Sequence, residues 1–187
     1  MKKDLRKQIM KTRNNLSINE LNEKSIKVFQ TLKNEKSYLD KSNILSFMSF
    51  GSEINMDYVN KDLIARNGYV LLPKVNETKD ALEIYKVTSY DDFVLSDYKI
   101  LEPDPAKCQR IPYKDIELIL SPGVVFDRKG YRIGYGGGFY DRLITETSSE
   151  CVVIGVGFDL QLVDTVPKED HDRQLDALIT ETGKIIF

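Results

Sequence analysis

Apolar residues recur at helical intervals near the N-terminus and then gather into short blocks, so the chain divides into helical and strand-like segments. Residues 2–14 put Leu5, Ile9 and Met10 on one face and basic residues on the others, which predicts a helix. Ser17 and Glu20 have the spacing of a capping box and open a second helix, whose Leu21, Ile26, Val28, Phe29 and Leu32 keep broadly helical spacing. The block 43–49, NILSFMS, reads as a first buried strand broken by Gly51. A helix over 56–66 ends at Gly68, suited to a left-handed cap, and YVLLPKV follows as a second strand. Strand, helix and strand in that order suggest a parallel βαβ unit.

LEIYKV, 82–87, alternates like an outer strand, whereas 88–114 is polar, carries Pro103, Pro105 and Pro112, and reads as loop with little regular structure. DIELILSPGVVF is a third apolar strand interrupted by Pro122 and Gly123. A helix is expected over 137–148, CVVIGVGF is a fourth buried strand, and ALIT with KIIF forms a closing hairpin or edge pair. The alternation predicts an α/β fold: a single domain, 1–187, with an open, mainly parallel sheet flanked by helices in a Rossmann-like three-layer arrangement. Ligands in such sheets sit beyond the carboxyl ends of the strands, so the loops after Phe47, Leu72, Leu120 and Phe158 are the places to search.

A chain of 187 residues buries about 70% of its unfolded surface and needs no disulfide or structural metal to fold. Its net charge of −2 gives no global basic field for nucleic acid, and no aromatic RNA-binding motif is present. The basic run MKKDLRKQIMKTR is either a solvated helix face or a functional surface. Cys108 and Cys151 match no metal or redox spacing, which suggests a reducing compartment. The N-terminus lacks the apolar core of a secretory signal, and no run approaches the ~18 apolar residues of a membrane span. A cytoplasmic protein without a membrane partner is expected.

The most informative stretch is RIGYGGGFYDR, 132–142. Glycines let backbone N–H groups approach an anion and permit positive φ, and the start of a helix just beyond adds partial positive charge. The pattern is neither the dinucleotide fingerprint nor a P-loop, so a structural turn is the alternative. Arg132 and Arg142 can neutralise phosphate. Asp141 can coordinate magnesium or stabilise the first helical turn. Tyr135 and Phe139 can stack on a flat ring or pack the helix start.

PGVVFDRKGYRIGYGGGFYDR resembles the signature of the 5-formyltetrahydrofolate cyclo-ligases, also called methenyltetrahydrofolate synthetases. KKDLRK, SFMSFGSEINM, YVLLPKV and VPKEDHDRQLDALIT extend the resemblance, in the family's order, over nearly the whole chain. Phe139 stands where tyrosine is common, keeping the ring and losing a hydroxyl. The resemblance implies a ligase of one-carbon folate metabolism that converts 5-formyltetrahydrofolate to 5,10-methenyltetrahydrofolate, cleaving ATP to ADP and phosphate with Mg²⁺. The formyl oxygen would be phosphorylated before ring closure. It also implies ATP contacts from Lys2, Lys3, Arg6, Arg132, Gly134, Gly136, Gly137 and Gly138. Folate contacts would come from Met48, Phe50, Glu53, Tyr135 and Phe139, and magnesium ligands from Asp141 and Asp172. Arg132 is the candidate catalytic cation, joined by Lys74, which sits at a strand end where it could meet a phosphate or the folate glutamate tail, or simply be a surface lysine. The alternative readings are core packing for Phe50, a solvated loop acid for Glu53, an exposed charged turn for Asp172, and a structural or supporting residue for His171. The expected partners are ATP and the folate, with or without a polyglutamate tail, and the expected assembly is a monomer or weak homodimer.

Three other classes compete. An enzyme acting on a sugar phosphate or coenzyme A ester would share the anion loop without consuming ATP. A nucleotide- or folate-binding module would bind without turnover. A nucleic-acid binder using the basic N-terminus is disfavoured by the acidic balance.

Overall fold

Alternation within the apolar blocks decides which side of the sheet each residue covers. The computed structural model describes residues 1–96 and 100–187. It begins with helices α1 (Lys2–Asn14), α2 (Ile18–Leu32) and α3 (Lys36–Asp40), then β1 (Ile44–Leu45), α4 (Asp57–Asn67), β2 (Val70–Val75) and β3 (Leu82–Val87). Three short strands follow, β4 (Phe93–Leu95), β5 (Leu101–Pro103) and β6 (Gln109–Ile111), then β7 (Leu118–Ser121), β8 (Val125–Asp127) and β9 (Arg132–Ile133). The chain continues through α5 (Phe139–Glu146), β10 (Val152–Val156), β11 (Leu162–Val163), β12 (Ala177–Thr180) and β13 (Gly183–Ile186).

The main sheet has the order β13-β12-β10-β7-β1-β2-β3-β6. Its central strands, β12 through β2, are parallel, while β13 and β3 pair antiparallel at the flanks. Ile44, Leu72, Leu118, Leu120, Ile154 and Ile179 project to one face and meet Leu21, Val28 and Leu32 of α2 and Val59 and Leu63 of α4. Their neighbours Leu45, Leu71, Ile119, Val153 and Leu178 project to the other face with Leu143 of α5. Helices therefore cover both faces, as the three-layer expectation requires. Among the described residues, no helix is long and apolar enough to cross a membrane.

Ser17 caps α2 as expected: its hydroxyl accepts from Glu20 N, and the Glu20 carboxylate accepts from Ser17 N at 2.9 Å. Ser17→Ala should lower unfolding free energy by about 1 kcal/mol in denaturant titrations, with no change in ligand binding.

Three expectations need correction. Segment 88–114 is not mainly loop: β4 pairs with β5, and β6 extends the main sheet beside β3. Strands of only three residues are too short for a period to register. Residues 97–99, within that segment, lie outside the described residues. The first strand is only two residues long, because after Leu45 the chain leaves the ladder. Third, Pro122 and Gly123 do more than interrupt a strand. They carry the chain from β7 in the main sheet into a separate three-stranded sheet, β11-β8-β9. That small sheet forms a third apolar cluster with Ile9 of α1, through Val124, Val125, Ile133 and Val166. The carboxylate of buried Asp127 fixes its turn by accepting from the backbone N–H groups of Lys129, Tyr131 and Val166.

Candidate functional site

The small sheet and α1 place the glycine loop beyond the carboxyl end of β7. There a cleft of about 310 Å³ is lined by Lys2, Arg6, Pro122, Gly123, residues 132–141, Glu169, His171 and Asp172, with Leu82 on its wall. Gly136 has φ +115°, a conformation side-chain-bearing residues rarely adopt. At Gly137 a Cβ would lie 2.6 Å from the Phe139 ring, so glycine is needed there for the loop to pass that aromatic. Gly138 then caps α5, which runs from Phe139 rather than from 137.

Helix α1 reaches this loop by one stripe. Lys2, Arg6, Ile9 and Arg13 are spaced by four, three and four residues, which places them within about 60° of one another around the helix. Lys2 Nζ lies 2.8 Å from Asp172 Oδ2 and 3.1 Å from Glu169. Arg6 Nε donates to Gly134 O at 2.8 Å. Ile9 anchors the helix on the small sheet, and Arg13 Nη2 donates to the Tyr135 hydroxyl at 2.8 Å. Lys3 falls outside the stripe and is exposed.

Arg132 is 6% exposed and pairs with Asp141 at 3.2 Å, while also donating to Arg173 O. Burial pulls the guanidinium's pKa down, and Asp141's charge opposes that. Asp141 also accepts from Arg173 N, next in sequence to Asp172, and the two candidate magnesium carboxylates line one cleft. Burial raises the Asp172 pKa, but the Lys2 and Glu169 N–H hydrogen bonds outweigh it and hold the net value below the usual carboxylate range. Among the described residues no cluster of three or more His, Cys, Asp or Glu could hold a metal. A phosphate-bound magnesium takes only one or two carboxylates, and this pair fits that requirement. His171 is exposed, its Nε2 3.4 Å from Glu169. The Tyr140 hydroxyl is sealed from solvent without a hydrogen-bond partner, and another part of the residue lines the same cleft.

The folate candidates divide. Glu53 is 5% exposed, not a solvated loop acid. Its Oε1 accepts from the Tyr135 hydroxyl at 2.7 Å and its Oε2 from Phe50 N at 3.2 Å. Burial pushes the Glu53 pKa up, against the pull of Tyr135, the Phe50 N–H and the Arg13 charge. The Phe50 and Tyr135 rings are 4.9 Å apart and tilted by 41°, forming an exposed aromatic wall beside that carboxylate. Met48 packs on the core near this point, its sulfur 3.5 Å from Asn60 Nδ2. Phe139 packs partly into the opposite core, with the Arg142 guanidinium 5.1 Å from its ring centre.

Lys74 is not brought to the glycine cleft. It alternates with Val75, whose side chain shares the face of Leu82 on the cleft wall, so Lys74 projects to the other face of the sheet. There Nζ pairs with Glu102 at 2.9 Å. Lys74→Ala should leave the Michaelis constant for ATP within about twofold of wild type in steady-state assays.

Sequence reasoning missed Arg13, Tyr140 and Glu169. The four-three-four spacing from Lys2 was a signal for Arg13. Tyr140 stood unremarked inside the glycine signature, and Glu169, in the charged stretch 169–173, looked like one more exposed acid.

Fold and site define an α/β protein with a glycine loop and a cleft at the carboxyl edge of its sheet. The chain belongs to the 5-formyltetrahydrofolate cyclo-ligase family, whose model matches residues 1–181, and is therefore an enzyme of the ligase class. A Haemophilus influenzae protein named 5-formyltetrahydrofolate cyclo-ligase is 28% identical over 181 residues, covering 95% of this chain and 97% of that one. A Caenorhabditis elegans protein named probable 5-formyltetrahydrofolate cyclo-ligase is 28% identical over 201 residues, covering 100% and 96%. The solved structure of Aquifex aeolicus 5,10-methenyltetrahydrofolate synthetase is similar at a TM-score of 0.87 and 28% identity, covering 99% of this chain and 92% of that one.

Proposed function

We propose that this chain converts 5-formyltetrahydrofolate to 5,10-methenyltetrahydrofolate while cleaving ATP to ADP and phosphate. Family membership supports the reaction class. The observation that carries the site assignment is that the glycine loop borders two chemically different regions. On one side it faces Lys2, Arg6, Arg132 and the two aspartates, a setting for a triphosphate. On the other, Tyr135 reaches Glu53 and Phe50, a setting for a flat ring with paired N–H donors.

A formamide oxygen is a poor leaving group. Transfer of the γ-phosphoryl group to it makes phosphate the leaving group, and attack by the side-arm nitrogen on the activated carbon then closes the ring. No covalent nucleophile is required of the protein, whose work is positioning and charge stabilisation. Arg132 supports charge on the transferring group, with Lys2, Arg6 and the N–H groups at the start of α5 binding phosphate oxygens. Glu53 accepts from the aminopyrimidine edge, and Phe50 with Tyr135 flanks the ring. Asp141 and Asp172 would hold magnesium, which supplies charge neutralisation among phosphate oxygens.

Incubation with 5-formyltetrahydrofolate, ATP and magnesium should generate the near-ultraviolet absorbance of the methenyl product, with loss of signal when ATP or magnesium is omitted. Folded protein that gives no ATP-dependent product refutes the proposal. Turnover that ignores ATP would return the site to the non-consuming phosphate enzymes.

A further inference from the structure

Arg13 is only 2% exposed, although burying a guanidinium carries a large desolvation cost. Its Nε donates to Ser52 Oγ at 3.1 Å and its Nη2 to the Tyr135 hydroxyl at 2.8 Å. Tyr135 passes its own proton toward Glu53 Oε1 at 2.7 Å. A buried cation and a buried carboxylate are thus joined through one phenol instead of by a direct fork. The difference matters chemically. A direct bidentate arginine occupies both carboxylate oxygens. Here Tyr135 and the Phe50 N–H take one position on each oxygen, and a carboxylate offers about four, so both oxygens keep capacity for a flat donor edge.

We propose that Arg13 is a positioning residue for folate recognition: it pins the Tyr135 hydroxyl on Glu53, so that the carboxyl group presents its remaining acceptor positions to the paired N–H donors of the aminopyrimidine. This rests on the assignment of Glu53 to the folate. The described groups that face Glu53 are Arg13 from α1, Tyr135 from the glycine loop, the Phe50 N–H from its own loop, and Tyr140 from α5. Arg13 is the one cation among them. It acts against the burial that favours the protonated acid, so its removal raises the pH below which Glu53 loses its charge. Counted along α1, Arg13 lies about 16 Å from Lys2, which separates its effect from the phosphate end of the cleft.

The test is direct binding of 5-formyltetrahydrofolate, without ATP, measured calorimetrically as a function of pH. Arg13→Gln and Tyr135→Phe should each weaken binding roughly tenfold at neutral pH. Both should move the acid limit of binding upward in pH. Arg13→Lys, which keeps the charge and loses the fork, should recover part of that shift, and ATP affinity should stay within about twofold throughout. Tyr135→Phe keeps the aromatic wall and decides the matter if Arg13→Gln does not fold. The inference is overturned if these variants keep the wild-type pH profile while Glu53→Gln loses folate binding. If Glu53→Gln itself binds folate normally, the assignment of Glu53 fails instead, and Arg13 with it.

Discussion

Arg132→Ala is expected to lower ATP-dependent turnover by roughly 100- to 1,000-fold. The guanidinium is held by Asp141 and Arg173 O at the mouth of the glycine loop, so little reorganisation is required when charge develops on a transferring phosphoryl group. Truncation also leaves Asp141 without its cation. Breaking a fully buried pair costs about 3–5 kcal/mol, but Asp141 is less buried than Arg132 and keeps the Arg173 N–H, so the loss of stability should be smaller. Thermal unfolding and turnover measured on one preparation separate the two effects. Arg132→Lys should restore stability more fully than turnover, because an ammonium lacks the planar fork. A folded alanine variant with wild-type turnover removes Arg132 from the mechanism.

Glu53→Gln should raise the folate dissociation constant about 10- to 100-fold, the equivalent of one charge-assisted hydrogen bond, and leave that for ATP unchanged. Stability should move the other way. A carboxyl whose pKa is raised on folding contributes stability below its unfolded pKa and loses it as pH rises through the folded value. Glu53 is such a group, because burial dominates its environment. As pH rises through that value the charged form burdens the fold, and glutamine removes that burden. The variant's Tm relative to wild type should therefore fall on acidification. A matched fall in folate affinity and Tm would instead mark Glu53 as a structural acid.

Much of this was legible in the sequence where signals were local. The capping box at Ser17, the left-handed end at Gly68 and the strongly apolar β7 and β10 each declared themselves within a few residues. The signature 132–142 likewise announced a glycine loop, which the fold places at the cleft. Hidden features depended on distant partners. Nothing near Lys74 says that sheet alternation turns it from the glycine cleft, and nothing near Glu53 says that Tyr135, far along the chain, will bury and bind it. The three-residue strands β4, β5 and β6 depend on pairing rather than on propensity.

The stripe on α1 has a consequence for how this site tolerates change. Because one residue advances a helix by about 100°, inserting or deleting a single residue between Arg6 and Ile9 would swing Lys2 and Arg6 out of line with Arg13. Substitutions at exposed Lys3, Lys7 or Lys11 leave that alignment intact. The helix is thus a ruler whose pitch sets the phase between the Lys2–Arg6 end of the cleft and the Tyr135–Glu53 pair, and indels there should be far less acceptable than changes of residue.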